Sequence, residues 1–263
     1  MTVGARTGIP DARRIVVKVG SSSISGDNVG RIAPLVAALA AAHARGAEVL
    51  LVSSGAIATG MPYLGLGSRP TDLATQQAAA AVGQNLLIFR YQDALRPFDI
   101  AAAQVLLTAG DLENPTHRSN AVRAIEKLLE LRILPIINEN DTVATHEIRF
   151  GDNDRLAALV SSLVGADLLI LLSDVDALYT RPPEEPGAER VDHVPYGDAL
   201  DGIVVGSVGT GVGTGGAITK VAAARLAADS GAGVLLTSAA KVDEALRGDP
   251  GIGTWFDPAP TTD

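Results

Sequence analysis

Two of the chain's four lysines stand beside glycine-rich turns. There an ammonium group and backbone N–H groups can hold an anion together. Lys18 lies in the apolar run Ile15–Val19 and precedes Gly20-Ser21-Ser22. A lysine at the end of a buried strand faces desolvation unless an anion is near. Taken alone, the segment reads as an edge lysine before a loop. Lys220 follows Gly209–Gly216, where five of eight residues are glycine. Such a loop either wraps phosphates or is a disordered surface loop. It contains GxGxxG over Gly211–Gly216, but a dinucleotide fingerprint follows the first strand, and this loop comes late. It is not a P-loop, because the sequence has no Gly-Lys dipeptide. A third turn, Ser53-Ser54-Gly55-Ala56, suits an ordinary strand-to-helix turn or an anion cradle.

Acids and amides make the second constellation. Asn138-Glu139-Asn140-Asp141 follows the apolar run Ile133–Ile137, and Gly151-Asp152-Asn153-Asp154 precedes a helix beyond an apolar hairpin. One such cluster is explained as a helix cap. Two leave carboxylates to orient lysines or to receive a substrate ammonium, with metal binding as a competing role. His43, His117, His146 and His193 have no metal-ligand spacing and read as surface or hydrogen-bonded histidines. No GxSxG nucleophile elbow occurs.

These residues need elements to position them. Strand-like runs at Ile15–Val19, Glu48–Ser53, Ile100–Thr108, Ile133–Asn138, Asp167–Ser173 and Gly233–Thr237 alternate with helical stretches. The helices are expected at Val29–Arg45, Leu73–Leu95, Asn120–Leu131, from Asp152–Asp154 to Val164, at Thr219–Ser230 and at Ala239–Arg247. Ile252–Phe256 reads as a closing strand, and Pro182–Glu189 as a surface excursion. The alternation predicts an α/β fold, a three-layer α/β/α sandwich with a mainly parallel central sheet. Ligands of such sheets lie at the carboxyl ends of the strands, where the constellations fall.

Composition sets the outer bounds. A chain of 263 residues fits one large α/β domain or two small ones. A formal charge of −9 argues against nucleic acid and anionic membranes as partners. With no cysteine there is no disulfide, thiolate zinc site or cysteine nucleophile. The apolar stretches are too short to span a bilayer, and Met1–Arg14 lacks a signal peptide's apolar region, so a cytoplasmic protein is expected.

Together the motifs resemble the amino acid kinase family, from about Ile15 to Phe256 and in order. They are VVKVGSS (Val16–Ser22), VSSGAIATG (Val52–Gly60), QQAAAAVGQ (Gln76–Gln84) and QVLLT (Gln104–Thr108). They continue with INENDTVAT (Ile137–Thr145), EIRFGDNDRLAALV (Glu147–Val160), LLSDVDALYT (Leu171–Thr180) and GTGGAITK (Gly213–Lys220). The paired NEND and FGDND motifs point to the branch that phosphorylates the side-chain carboxylate of L-glutamate. Ala217, Ile218, Gln76 and Pro182-Pro183 depart from the usual pattern.

The resemblance implies ATP as donor, L-glutamate as acceptor, and the first step of proline biosynthesis. Mg²⁺ would be carried on the ATP phosphates, with no metal ligands from the protein. Lys18, Lys220 and Asp154 would be catalytic, the aspartate holding the two lysines. Ser54, Gly55, Asp141 and Asn153 would bind the acceptor. Lys18, Gly20, Ser173, Asp174, Thr214, Gly215, Gly216, Ala217, Ile218, Thr219 and Lys220 would bind the nucleotide. It also implies a single kinase domain over residues 1–263, with an amino-acid-binding lobe near 1–165 and a nucleotide-binding lobe near 166–263; many members carry a C-terminal PUA domain as well, and none is expected within these 263 residues. A homodimer or homotetramer and feedback inhibition by proline would accompany it. A kinase of this fold with another acceptor, or a non-catalytic nucleotide or amino-acid sensor, remains the alternative.

Overall fold

The computed structural model describes residues 3–144, 153–200 and 216–260. Its centre is β1 (Arg14–Val19), which after Arg14 is apolar but for one lysine and is buried from Ile15 onward. It pairs in parallel with β2 (Glu48–Ser53) on one side and β5 (Leu168–Ser173) on the other. Beyond β2 lie β4 (Leu134–Glu139) and then β3 (Ala102–Leu107). Beyond β5 lie β9 (Gly233–Ser238), β10 (Thr254–Phe256) and β8 (His193–Val194). Every pairing in this eight-stranded sheet is parallel except that of β9 with β10. The mainly parallel sheet expected from the alternation is therefore present, and it runs without interruption across residue 165 because β1 pairs with β5.

Strand alternation divides the core into two layers. Ile15, Val17 and Val19 face α1 (Ile32–Ala44), α3 (Leu73–Leu95) and α8 (Val242–Leu246). Val16, Leu50, Leu169 and Leu171 face α5 (Pro115–Glu130), α6 (Asn153–Val164) and α7 (Ala217–Asp229). Lys18 has the parity of Val16, so it points to the layer of α6 and α7.

The differences from expectation lie at element ends. The first helix begins at Ile32, after a 3₁₀ stretch over Gly26–Arg31, rather than at Val29. The helix expected at Asn120, α5, begins at Pro115, because Asn114 caps it by accepting from Thr116 and His117 N–H while proline needs no donor at the first position. Pro182–Glu189 links the two short strands β6 (Leu178–Tyr179) and β7 (Arg190–Val191), as a surface excursion would. The apolar hairpin between the acidic motifs falls largely outside the described residues.

A short helix unread in the sequence, α2 (Ala56–Gly60), follows β2 and crosses α3 at two glycines. A Cβ on Gly60 would lie 1.9 Å from the Ala79 carbonyl oxygen, and one on Gly83 1.7 Å from that of Ala56. The two backbones touch, which fixes the turn that feeds α2. Gly83→Ala should lower stability by about 1–3 kcal/mol or more through forced separation of the helices. Urea unfolding checks it: an unchanged midpoint would contradict this packing.

Candidate active site

The strand ends bring the predicted charges together. Lys18 is 4% exposed and Lys220 8%, while Asp154 is fully buried. The Lys18 ammonium lies 2.5 Å from one Asp154 carboxylate oxygen, and that of Lys220 lies 2.9 Å from the other. The reading of Lys18 as an edge lysine is thus overturned: β1 is central, and the lysine meets its carboxylate inside the protein. Asp154 stands in the first turn of α6, where the helix dipole favours an anion. Lys220 stands in the first turn of α7, where the dipole disfavours a cation, so the carboxylate across the gap offsets a local cost.

Burial pushes the Asp154 pKa up, yet the two ammonium groups outweigh it and hold the carboxyl below the ordinary 3.8. The three side chains together carry one net positive charge. Gly20 adjoins them: a Cβ there would lie 3.8 Å from the Lys18 nitrogen, within the space an anion's oxygen would use. Metal binding competed for Asp154 in the sequence; the structure gives that carboxylate to the lysines instead.

The amides form a second array beside this one. Asn153, the first residue of α6, donates through its side chain to the Ser53 carbonyl at 2.6 Å and to the Asn138 side-chain oxygen at 2.8 Å. Ser54 and Gly55 follow directly, Gly55 with φ +91° in the left-handed region that favours glycine. The next segment is braced by α3: Gln84 donates to the Glu139 carbonyl and Gln77 to that of Ala144. Asn140 N–H donates to the Leu107 carbonyl, so partly buried Asp141 follows an anchored residue.

At the end of β5, Ser173 is the last strand residue, in register with Ser238. Asp174 accepts from the Ser22 hydroxyl at 2.7 Å and the Ser23 hydroxyl at 3.1 Å, joining the turns after β1 and β5. Gly216 precedes α7, Ala217, Ile218 and Thr219 open it, and Ile218 is 57% exposed. Thr214 and Gly215 lie outside the described residues, as does the rest of the glycine run before Gly216.

Asn138, Ser22 and Ser23 join the site without having been singled out by residue type or spacing. Asn138 is buried, and its amide nitrogen has no hydrogen-bond partner among the described residues. Its signal was its place at the end of a strand buried on both faces. The serines' signal was the run of hydroxyls after Gly20. The histidines behave as expected where described: His43 bonds the Arg132 carbonyl, His117 pairs with Asp111, and His193 with Asp257.

The sheet order brings lysines from a central strand and a late helix onto one buried carboxylate at the strand ends, where their positive charge suits an anion such as a phosphate. The chain belongs to the amino acid kinase family, whose model matches residues 13–238. Within it the chain groups with proteins named glutamate 5-kinase. That of Clavibacter michiganensis subsp. michiganensis is 74% identical over 98% of this chain and 99% of its own length. That of Leifsonia xyli subsp. xyli is 70% identical over 100% and 97%. That of Salinispora arenicola is 55% identical over 97% of this chain and 70% of its own. The fold is shared with a carbamate kinase from Giardia lamblia bound to AMP-PNP, at TM-score 0.67 and 16% identity, over 95% of this chain and 99% of that one. An isopentenyl phosphate kinase shares it at TM-score 0.62 and 21% identity, over 92% and 99%.

Asp154→Asn removes the carboxylate between two buried ammonium groups and should cost about 3–5 kcal/mol at pH 7. Because the folded pKa is depressed, the carboxylate's contribution is complete above 3.8 and is lost as pH falls through the lower folded value. The gap between wild type and variant should therefore narrow in acid. Urea unfolding at pH 7 and below pH 3.8 tests it; a gap independent of pH would contradict the ion cluster.

Proposed function

We propose that the chain transfers the γ-phosphoryl group of ATP to the side-chain carboxylate of L-glutamate, forming L-glutamyl 5-phosphate for proline synthesis. The observation that carries the chemistry is the Lys18–Asp154–Lys220 cluster at the strand ends. Donor and acceptor are both anions, so the reaction needs fixed positive charge and little else from the protein. A carboxylate acceptor is already ionised at neutral pH, so no general base has to be supplied.

In this reading Lys18 and Lys220 grip the transferring phosphoryl group from two sides, and Asp154 sets their spacing. Gly20 offers its backbone beside Lys18. Ser54, Gly55 and Asn153 hold the acceptor, and Asp141 receives its α-ammonium group. A purely anionic acceptor such as a phosphate ester would be repelled by Asp141. Ser173, Asp174 and the segment Thr214–Lys220 hold the nucleotide. Two ammonium groups suit phosphate oxygens and are not metal ligands, so Mg²⁺ belongs on the ATP phosphates, where it neutralises charge. The chain would work as a cytoplasmic homodimer or homotetramer, with proline as feedback inhibitor. None of the described helices is long and apolar enough to cross a membrane.

Incubation with MgATP and a panel of acceptors, trapping acyl phosphate with hydroxylamine, tests the reaction. L-glutamate alone should give strong hydroxamate; no glutamate-dependent product would sink the proposal. Lys220→Ala should lower kcat by about a hundredfold or more while leaving glutamate binding largely intact. Unchanged turnover would remove Lys220 from the mechanism.

A further inference from the structure

We infer that Tyr91, in the interior of α3, is a positioning residue for the acceptor turn and acts through Ser53 on the Ser54–Gly55 peptide. The inference rests on the glutamate-kinase reading above. Tyr91 is fully buried, and its phenol oxygen lies 2.9 Å from the Ser53 hydroxyl oxygen. That hydroxyl in turn donates to the Ser54 carbonyl at 3.2 Å. A serine hydroxyl has one hydrogen. If it goes to the carbonyl, Tyr91 must be the donor to Ser53. The relay therefore has one direction: phenol to serine hydroxyl to carbonyl.

Burial pushes the Tyr91 pKa up, so the phenol keeps its proton through the working pH range. No peptide bond described is cis, so the carbonyl of Ser54 and the N–H of Gly55 point in opposite directions. A relay that draws the carbonyl toward Ser53 thereby turns the Gly55 N–H the other way. Gly55 sits where a Cβ would lie 3.5 Å from Ser21 Cα and Cβ, against the turn that carries Gly20. The Gly55 N–H is thus set as a fixed donor for the acceptor's carboxylate. The Ser53 carbonyl, held by Asn153 from the α6 side, anchors the same turn a second time. Without the phenol hydroxyl, the serine is free to rotate and the Ser54 carbonyl loses its fixed donor.

The full chain, Tyr91→Phe, Ser53→Ala and the double variant are compared by hydroxamate kinetics. Each single variant should raise KM for L-glutamate about tenfold and leave KM for ATP within about twofold. The double variant should be no worse than the poorer single one, because both changes cut the same relay. An unchanged glutamate KM, a parallel rise in both KM values, or additive losses would overturn the inference. If Tyr91→Phe does not fold, Ser53→Ala carries the same expectation, since it keeps the backbone carbonyl that Asn153 uses. The amide resonance of Gly55 gives a readout without turnover: it should move in both variants while that of Gly46 stays in place. An unmoved Gly55 resonance overturns the relay, whereas a wild type that forms no hydroxamate overturns only the glutamate reading.

Discussion

Two ammonium groups and one carboxylate, all removed from water, form the interaction on which the site depends. Each charge alone would be expensive to bury, and two cations side by side would repel. Asp154 makes the arrangement tolerable by meeting one lysine on each carboxylate oxygen. The three residues come from β1, α6 and α7, so the ion cluster exists only when these elements are docked. The lysines that would bind phosphate also require the tertiary structure to be complete.

The fold meets that requirement through register and face. Lys18 lies opposite Val52 of β2 and Leu171 of β5, near the carboxyl ends of three parallel strands. Its parity sends it to the α6–α7 layer, and both helices begin at that end of the sheet. One helix start holds an acid and the other a base, which converts an unfavourable placement of Lys220 into half of an ion pair. On the opposite layer, the α2–α3 glycine contact and the glutamines of α3 brace the turns after β2 and β4. The two layers thus support different halves of one site.

Much of this was legible in the chain. Near-continuous apolar runs mark β1, β2, β4, β5 and β9 because strands buried on both faces carry no polar alternation. Leu73–Leu95 was readable as one helix, since it contains no proline and Asp72 caps it. The start of α5 lies ahead of its apolar period because its first turn is polar, and only Asn114-Pro115 marks it. Tyr91 was invisible as anything but an apolar residue, because its partner Ser53 lies 38 positions away and on another element.

By itself, the sequence determined the alternation of strand and helix, the central buried sheet, and which residue types would gather at strand ends. Those follow from local patterns: apolar runs, glycine turns, caps. It also marked Lys18, Asp154 and Lys220 as charges in need of a reason, and only the family resemblance joined them. Only the tertiary structure decided that β1 lies between β2 and β5, and hence that Lys18 is interior. Only it put the Asp154 carboxylate out of water with one lysine on each oxygen, the contact that the resemblance implied and local spacing left open. The physical reason is that charge interaction depends on distance through space and on exclusion of water, and neither is a property of spacing along the chain.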